Sequence, residues 1–134
     1  MYSLILSKNN PEIKILSYWP ITETYEKQIR NIVLNNLTKN IEVFNYGLSN
    51  INKKIYFQAK TFNNFEQSST YKISSIGNKE CNIKKFDDLN NFKNKKIVII
   101  GDVKGHEKNV LEGMIKNLSQ NSIILQVEIF EENF

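Results

Sequence analysis

Apolar and polar positions switch between two spacings along this chain, and each switch marks an element. Tyr2 to Leu6 read as the last turns of a helix stopped by Asn9-Asn10-Pro11. Ile13 to Trp19 is a compact, mostly apolar stretch closed by Pro20, the pattern of a buried parallel strand. Tyr25, Ile29, Ile32, Val33 and Leu37 then recur at helical spacing, with Thr22 or Thr24 available as N-cap and Glu23 and Glu26 near the positive end of the dipole. Ile41 to Leu48 predicts another strand, Ser49 to Asn52 a turn, and Ile55 to Gln58 its hairpin partner. Thr61 to Lys79 is polar and shows no period, so a long loop is the reading left to it.

Asn82 to Phe86 predicts a short strand, and Phe86-Asp87-Asp88-Leu89 a turn into a short helical or irregular link. The strongest signal lies in Lys96 to Val103, where Ile97, Val98, Ile99 and Ile100 form the unbroken β-branched run of a central strand covered on both faces. Gly105 permits a tight turn into one helix whose apolar face is Val110, Leu111, Met114, Ile115 and Leu118, and Ser122 to Phe130 predicts a further strand. This alternating order predicts an α/β fold, a mostly parallel sheet with flanking helices and a β-hairpin insertion.

Composition narrows the classes. At 134 residues the chain is taken as a single domain, 1–134. The formal charge of +4 raises nucleic acid as a partner, but the lysines sit in pairs such as Lys53-Lys54, Lys84-Lys85 and Lys95-Lys96 at the edges of apolar runs, which argues for solvated flanks and no nucleic-acid partner. Cys81 is the only cysteine, so an internal disulfide and a multi-cysteine zinc site are excluded, and no metal is expected. No apolar run approaches the ~20 residues that span a bilayer, no cleavable leader precedes Lys8-Asn9-Asn10, and a soluble, cytoplasmic protein is expected.

Gly101-Asp102-Val103-Lys104-Gly105-His106-Glu107, continuing through Val110-Leu111-Glu112-Gly113, is similar to the Asp-Val-Glu-Gly-x-Glu motif and following Val-Leu-x-Gly of the FkbM-type methyltransferases. Tyr18-Trp19-Pro20 with Tyr25, Asn31 and Leu34-Asn35 resembles that family's aromatic-Glu-Pro strand end and next helix. Tyr46-Gly47-Leu48-Ser49-Asn50 resembles its Ala-Leu-Ser-Asp corner, and Phe86-Asp87-Asp88-Leu89 its Leu-Asp-Asp-Leu element. The resemblance implies an incomplete Rossmann-like class I methyltransferase fold and S-adenosylmethionine-dependent O-methylation, with a sugar or polysaccharide hydroxyl as expected acceptor. Two positions depart from the pattern. Trp19 stands where a carboxylate would bond the cofactor's ribose, and Lys104 where the motif has Glu. The resemblance also implies that a glycine-containing cofactor strand should precede Tyr2. Its place is the middle of the sheet, between the strand ending at Trp19 and the one ending at Val103, so the expectation is either that those two strands close directly on each other or that a second polypeptide, as partner, supplies the strand.

Ligands in open α/β sheets bind beyond the carboxyl ends of the strands, which draws attention to Trp19, Ser49, Asp102 and the Gly105 turn. Methyl transfer to a hydroxyl needs a positioned oxygen and a group that takes its proton. Asp102 and Glu107 are the candidate catalytic residues, and Ser49, Asp102 and Gly105 the candidate cofactor contacts. Each has a plainer reading: Asp102 as a cap or turn residue, Glu107 as a partner of the helix dipole, Ser49 as a hairpin-turn residue. His106, the one histidine, reads as a base, a metal ligand or a merely solvated side chain, the last being the commoner case. Phe57, Phe62, Phe65 and Tyr71 make either an acceptor wall or core packing, and Asp87 and Asp88 are read as turn residues. Two function classes follow: a methyltransferase fragment inactive by itself, or a non-catalytic methyltransferase-like remnant that binds a partner and no cofactor.

Overall fold

The computed structural model describes residues 2–58, 61–62, 65–66, 72–74, 77, 79–103 and 105–127. In chain order the elements are α1 (Tyr2–Asn9), β1 (Ile15–Tyr18), α2 (Thr22–Leu34), β2 (Ile41–Phe44), β3 (Gly47–Leu48), β4 (Lys53–Gln58), β5 (Thr61–Phe62), β6 (Phe65–Glu66), β7 (Lys72–Ser74), β8 (Lys79–Lys84), α3 (Phe86–Leu89), β9 (Lys96–Gly101), α4 (Glu107–Glu112), α5 (Ile115–Gln120) and β10 (Ser122–Val127). Its contacts divide into two units, one of residues 1–47 and 54–82, the other of 48–53 and 83–134.

In the first unit β1 and β2 pair in parallel, Ile15 opposite Ile41 through Tyr18 opposite Phe44. α2 joins them and packs on β2, burying Ile32 with Ile41 and Ile21 in the core. Neither Thr22 nor Thr24 caps it. The N-cap is Ile21, and Thr22 Oγ1 instead accepts a hydrogen bond from Asn45 Nδ2. Glu23 in the first turn pairs with Lys79, whose ammonium holds the Glu23 carboxyl below its ordinary range. The far end closes on Asn36 at φ 56°, with Asn36 N–H donating to Val33 O and Leu37 N–H to Ile32 O, the double bond of a left-handed helix stop.

The predicted hairpin between Ile41–Leu48 and Ile55–Gln58 is absent from the described residues. The first strand breaks after Phe44, and β4 pairs antiparallel with β7 through Phe57 opposite Ile73. β8 lies beside β4 in the first unit and continues into the second, where Ser49 N–H donates to Lys84 O at 2.9 Å beside β3. A long-range strand therefore occupies the place that a local turn was expected to close. The polar stretch from Thr61 also contains strand: β5 and β6 form a short antiparallel pair.

In the second unit β9 and β10 pair in parallel, Lys96 opposite Ser122 through Gly101 opposite Val127. The expectation of a central β9 covered on both faces is corrected here. β9 has β10 as its single neighbour among the described residues, and the facing pair Val98 and Ile124 is 55% and 67% exposed. The expected sheet is therefore present as short parallel pairs, and the predicted Ser122–Phe130 strand is described only to Val127.

The single predicted helix after Gly105 is two helices, α4 and α5, which break at Gly113-Met114. Ile115 is 60% exposed, whereas Met114 and Asn117 are buried. The second helix starts because Asp87 supplies a remote cap: its carboxylate accepts from the N–H groups of Lys116 at 2.8 Å and Asn117 at 3.0 Å. Asp87 is thus more than a turn residue. Among the described residues no helix is long and apolar enough to cross a membrane.

Candidate functional site

Beyond the carboxyl end of β9 the chain runs through Asp102 and Val103, both exposed, to Gly105 at φ 92°. That left-handed value is reached without strain only by a residue lacking Cβ. The turn closes with His106 N–H donating to Val103 O, so that His106 becomes the N-cap residue of α4. Lys104 lies outside the described residues.

The imidazole of His106 meets a side chain from far along the chain, its Nε2 lying 3.0 Å from Ser49 Oγ. Ser49 follows β3 and is 1% exposed. Its carbonyl lies against Gly113, the C-cap of α4, where a Cβ would stand only 2.7 Å from Ser49 C and 3.2 Å from Asn50 N. Asn50 is braced on the same helix: its Nδ2 donates to Glu112 Oε2 at 2.8 Å, and its Oδ1 accepts from Asn109 Nδ2 at 3.4 Å. Burial holds the His106 pKa below its ordinary 6.5, while the nearby Glu107 charge pulls the other way. The imidazole is therefore neutral at pH 7 and able to accept a proton.

The other predicted site residues are placed as follows. Asp102 is exposed and makes no side-chain hydrogen bond among the described residues, so the cap reading finds no bond to support it. Glu107 opens α4, and its Oε1 accepts from Gly105 N–H at 3.1 Å, which ties it to the turn. Ser49 is a buried contact of α4 rather than a hairpin-turn residue. Tyr71 and the side chains of Phe62 and Phe65 lie outside the described residues. Sequence reasoning missed the pairing of Ser49 with His106. No local pattern signals it, because Ser49 follows β3 and His106 follows β9, strands of two different sheets. Among the described residues no group of three or more His, Cys, Asp or Glu side chains could hold a metal ion.

In the first unit the carboxyl ends of β1 and β2 carry an aromatic cluster. Tyr18 stacks on Phe44 with centroids 5.1 Å apart, and Tyr46 lies 5.6 Å from Tyr18 and 5.5 Å from Phe44. Trp19 adjoins them, its Nε1–H donated to Ser17 Oγ at 2.8 Å.

Parallel strand pairs, each connected through helix, define an α/β protein. A family model described as the methyltransferase FkbM domain matches residues 2–134, and the chain belongs to that family, whose chemistry is methyl transfer. Searches of curated proteins and of solved structures returned no match. The resemblance carried by Gly101 to Gly113 is thereby borne out.

S-adenosylmethionine is the cofactor this family implies, and Trp19, Ser49, Asp102 and Gly105 do not fit it. The indole N–H of Trp19, its one polar hydrogen, is already spent on Ser17, and Trp19 itself brings no carboxylate to receive ribose hydroxyls. Ser49 is buried with its hydroxyl on His106. Asp102 and Gly105 remain exposed, but one carboxylate and one glycine do not grip a nucleoside.

Proposed function

We propose that the chain serves S-adenosylmethionine-dependent O-methylation of a sugar or polysaccharide hydroxyl, and that its residues form the acceptor side of that reaction. The supporting observation is the rim beyond β9, where the exposed Asp102 carboxylate and the neutral His106 imidazole lie on one short turn. Asp102 makes no side-chain hydrogen bond among the described residues and offers its carboxylate oxygens as acceptors for a sugar hydroxyl, and Glu107 shapes the turn by holding Gly105 N–H. Neither role depends on how the methyl donor is held.

A second reading is favoured by Trp19: a methyltransferase-like module that no longer holds cofactor and binds a partner polypeptide. The outer edge of β9 presents backbone donors and acceptors to which an added strand could pair.

Saturation-transfer NMR of the purified chain with methyl hexosides tests the first reading, with signals expected for the wild type and lost in Asp102→Ala. Calorimetric titration with S-adenosylmethionine is expected to give no measurable heat. Absence of any hexoside signal from the folded chain refutes the acceptor role and leaves the partner-binding reading.

A further inference from the structure

The side chains behind His106 form a directed chain of hydrogen bonds. Glu112 Oε2 can only accept, so the Asn50 group that faces it at 2.8 Å must be the amide Nδ2. That fixes the amide and turns Asn50 Oδ1 the other way, where it accepts from Asn109 Nδ2 and lies 3.4 Å from Ser49 Oγ. Ser49 has one hydroxyl hydrogen, and directed to Asn50 Oδ1 it leaves the Ser49 oxygen facing His106 Nε2 as an acceptor. Ser49 Oγ then donates to Asn50 and accepts from His106, and Nε2 carries the ring proton.

We propose that Glu112, Asn50 and Ser49 act as positioning residues that lock His106 as its Nε2–H tautomer, presenting Nδ1 as the base for an acceptor hydroxyl. Nδ1 has no hydrogen-bond partner among the described residues. The use of that base rests on the methyl-transfer reading given above, whereas the tautomer does not. In the step itself the acceptor O–H bond breaks, its proton forms a bond to Nδ1, and the imidazole becomes imidazolium, leaving the electron pair on the acceptor oxygen. The charged group facing the ring from its own helix is Glu107, which favours the imidazolium once formed. From the β3 side the facing groups are Ser49 and Asn50, both uncharged, with Glu112 one residue further back along the chain of bonds.

Because His106 is the only histidine, long-range 15N–1H correlation spectra of the ring need no assignment. The wild type at pH 7.5 is expected to show a single neutral tautomer with its proton on Nε2. In Asn50→Ala the Ser49 hydroxyl loses its acceptor and turns to donate to Nε2, so the proton is expected to move to Nδ1. In Ser49→Ala, which serves where Asn50→Ala does not fold, the spectrum is expected to show a mixture of both tautomers. A wild-type ring protonated on Nδ1 overturns the proposal. So does an unchanged Nε2–H tautomer in the folded variants, since an isolated imidazole holding that form needs no such chain. Adding a methyl hexoside that gives saturation transfer is expected to move the Nδ1 resonance more than Nε2. Binding without that shift overturns the role as base while leaving the acceptor-side reading intact, and absence of binding overturns the acceptor reading while the tautomer data still judge the relay.

Discussion

Replacing Gly113 by alanine should separate the Ser49 corner from α4. The added Cβ would enter the shell of the Ser49 carbonyl, 2.7 Å from its carbon and 3.2 Å from Asn50 N, where ordinary contacts lie at 3.4–4 Å. The obstacle is backbone, and it is held: Ser49 N–H is bonded to Lys84 O and the residue is buried, so no flexible side chain can give way. Overpacking of this kind costs about 1–3 kcal/mol. Retreat of Ser49 would also forfeit its bond to His106, worth about 1 kcal/mol net. A loss of roughly 2–4 kcal/mol corresponds to a fall in Tm of about 8–16 °C for a chain of this size. Gly101→Ala is the control, because its Cβ would meet only Val127 Cγ1 at 3.3 Å, a side chain able to shift. Melting followed by circular dichroism should show the large fall for Gly113→Ala and a change under about 4 °C for Gly101→Ala. Equal melting of the two variants would refute the close approach of Ser49 to α4.

Asn117→Ala removes a buried amide that donates to Asp87 Oδ1 and Asn90 O and accepts from Phe92 N–H, so urea unfolding should show a loss of about 3 kcal/mol. Asp87→Ala, which leaves the first N–H groups of α5 uncapped, should lose about 1–2 kcal/mol in the same assay. Cys81 is buried and its thiol pKa is pushed up to about 11, first by desolvation and then by Glu80. Ellman's reagent at pH 8 should therefore react slowly with the native chain and fast after denaturation. His106 binds its proton more weakly folded than unfolded, so its contribution to stability is whole above pH 6.5 and is lost as pH falls through the lower folded value. Denaturation curves below pH 6.5 should accordingly fall less steeply with pH in His106→Gln than in the wild type.

How much of this was legible in the sequence depended on how local its cause was. The β-branched run of β9 and the helical spacing of α2 announced themselves because a strand face and a helix stripe are written in neighbouring residues. The exposure of Val98 was not, since burial depends on which strands lie alongside. The break between α4 and α5 was hidden because Val110, Leu111, Met114, Ile115 and Leu118 keep one helical spacing through it. Its causes are distant in sequence: Ser49 pressing on Gly113, and Asp87 capping Lys116 and Asn117. The candidate site divides in the same way. Asp102, Gly105 and Glu107 form one contiguous turn and were readable from their motif, while the partner of His106 sits 57 positions away. Nothing in the residues around Ser49 signals that its hydroxyl would be turned inward.

The segment ahead of β9 behaves as a ruler. Asn117 on α5 and Asn121, its C-cap residue, read its main chain directly: Phe92 N–H and Lys95 N–H donate to their side-chain oxygens, and Asn121 Nδ2 donates to Phe92 O. Asn94 N–H reaches Gln120 O, and Ser122 N–H reaches Lys95 O as β10 begins. An irregular stretch is thereby gauged against a helix at nearly every rung, so the count of residues from 92 to 95 sets where β9 starts. One inserted residue there would slide β9 a single step along β10 and turn each of its side chains to the opposite face.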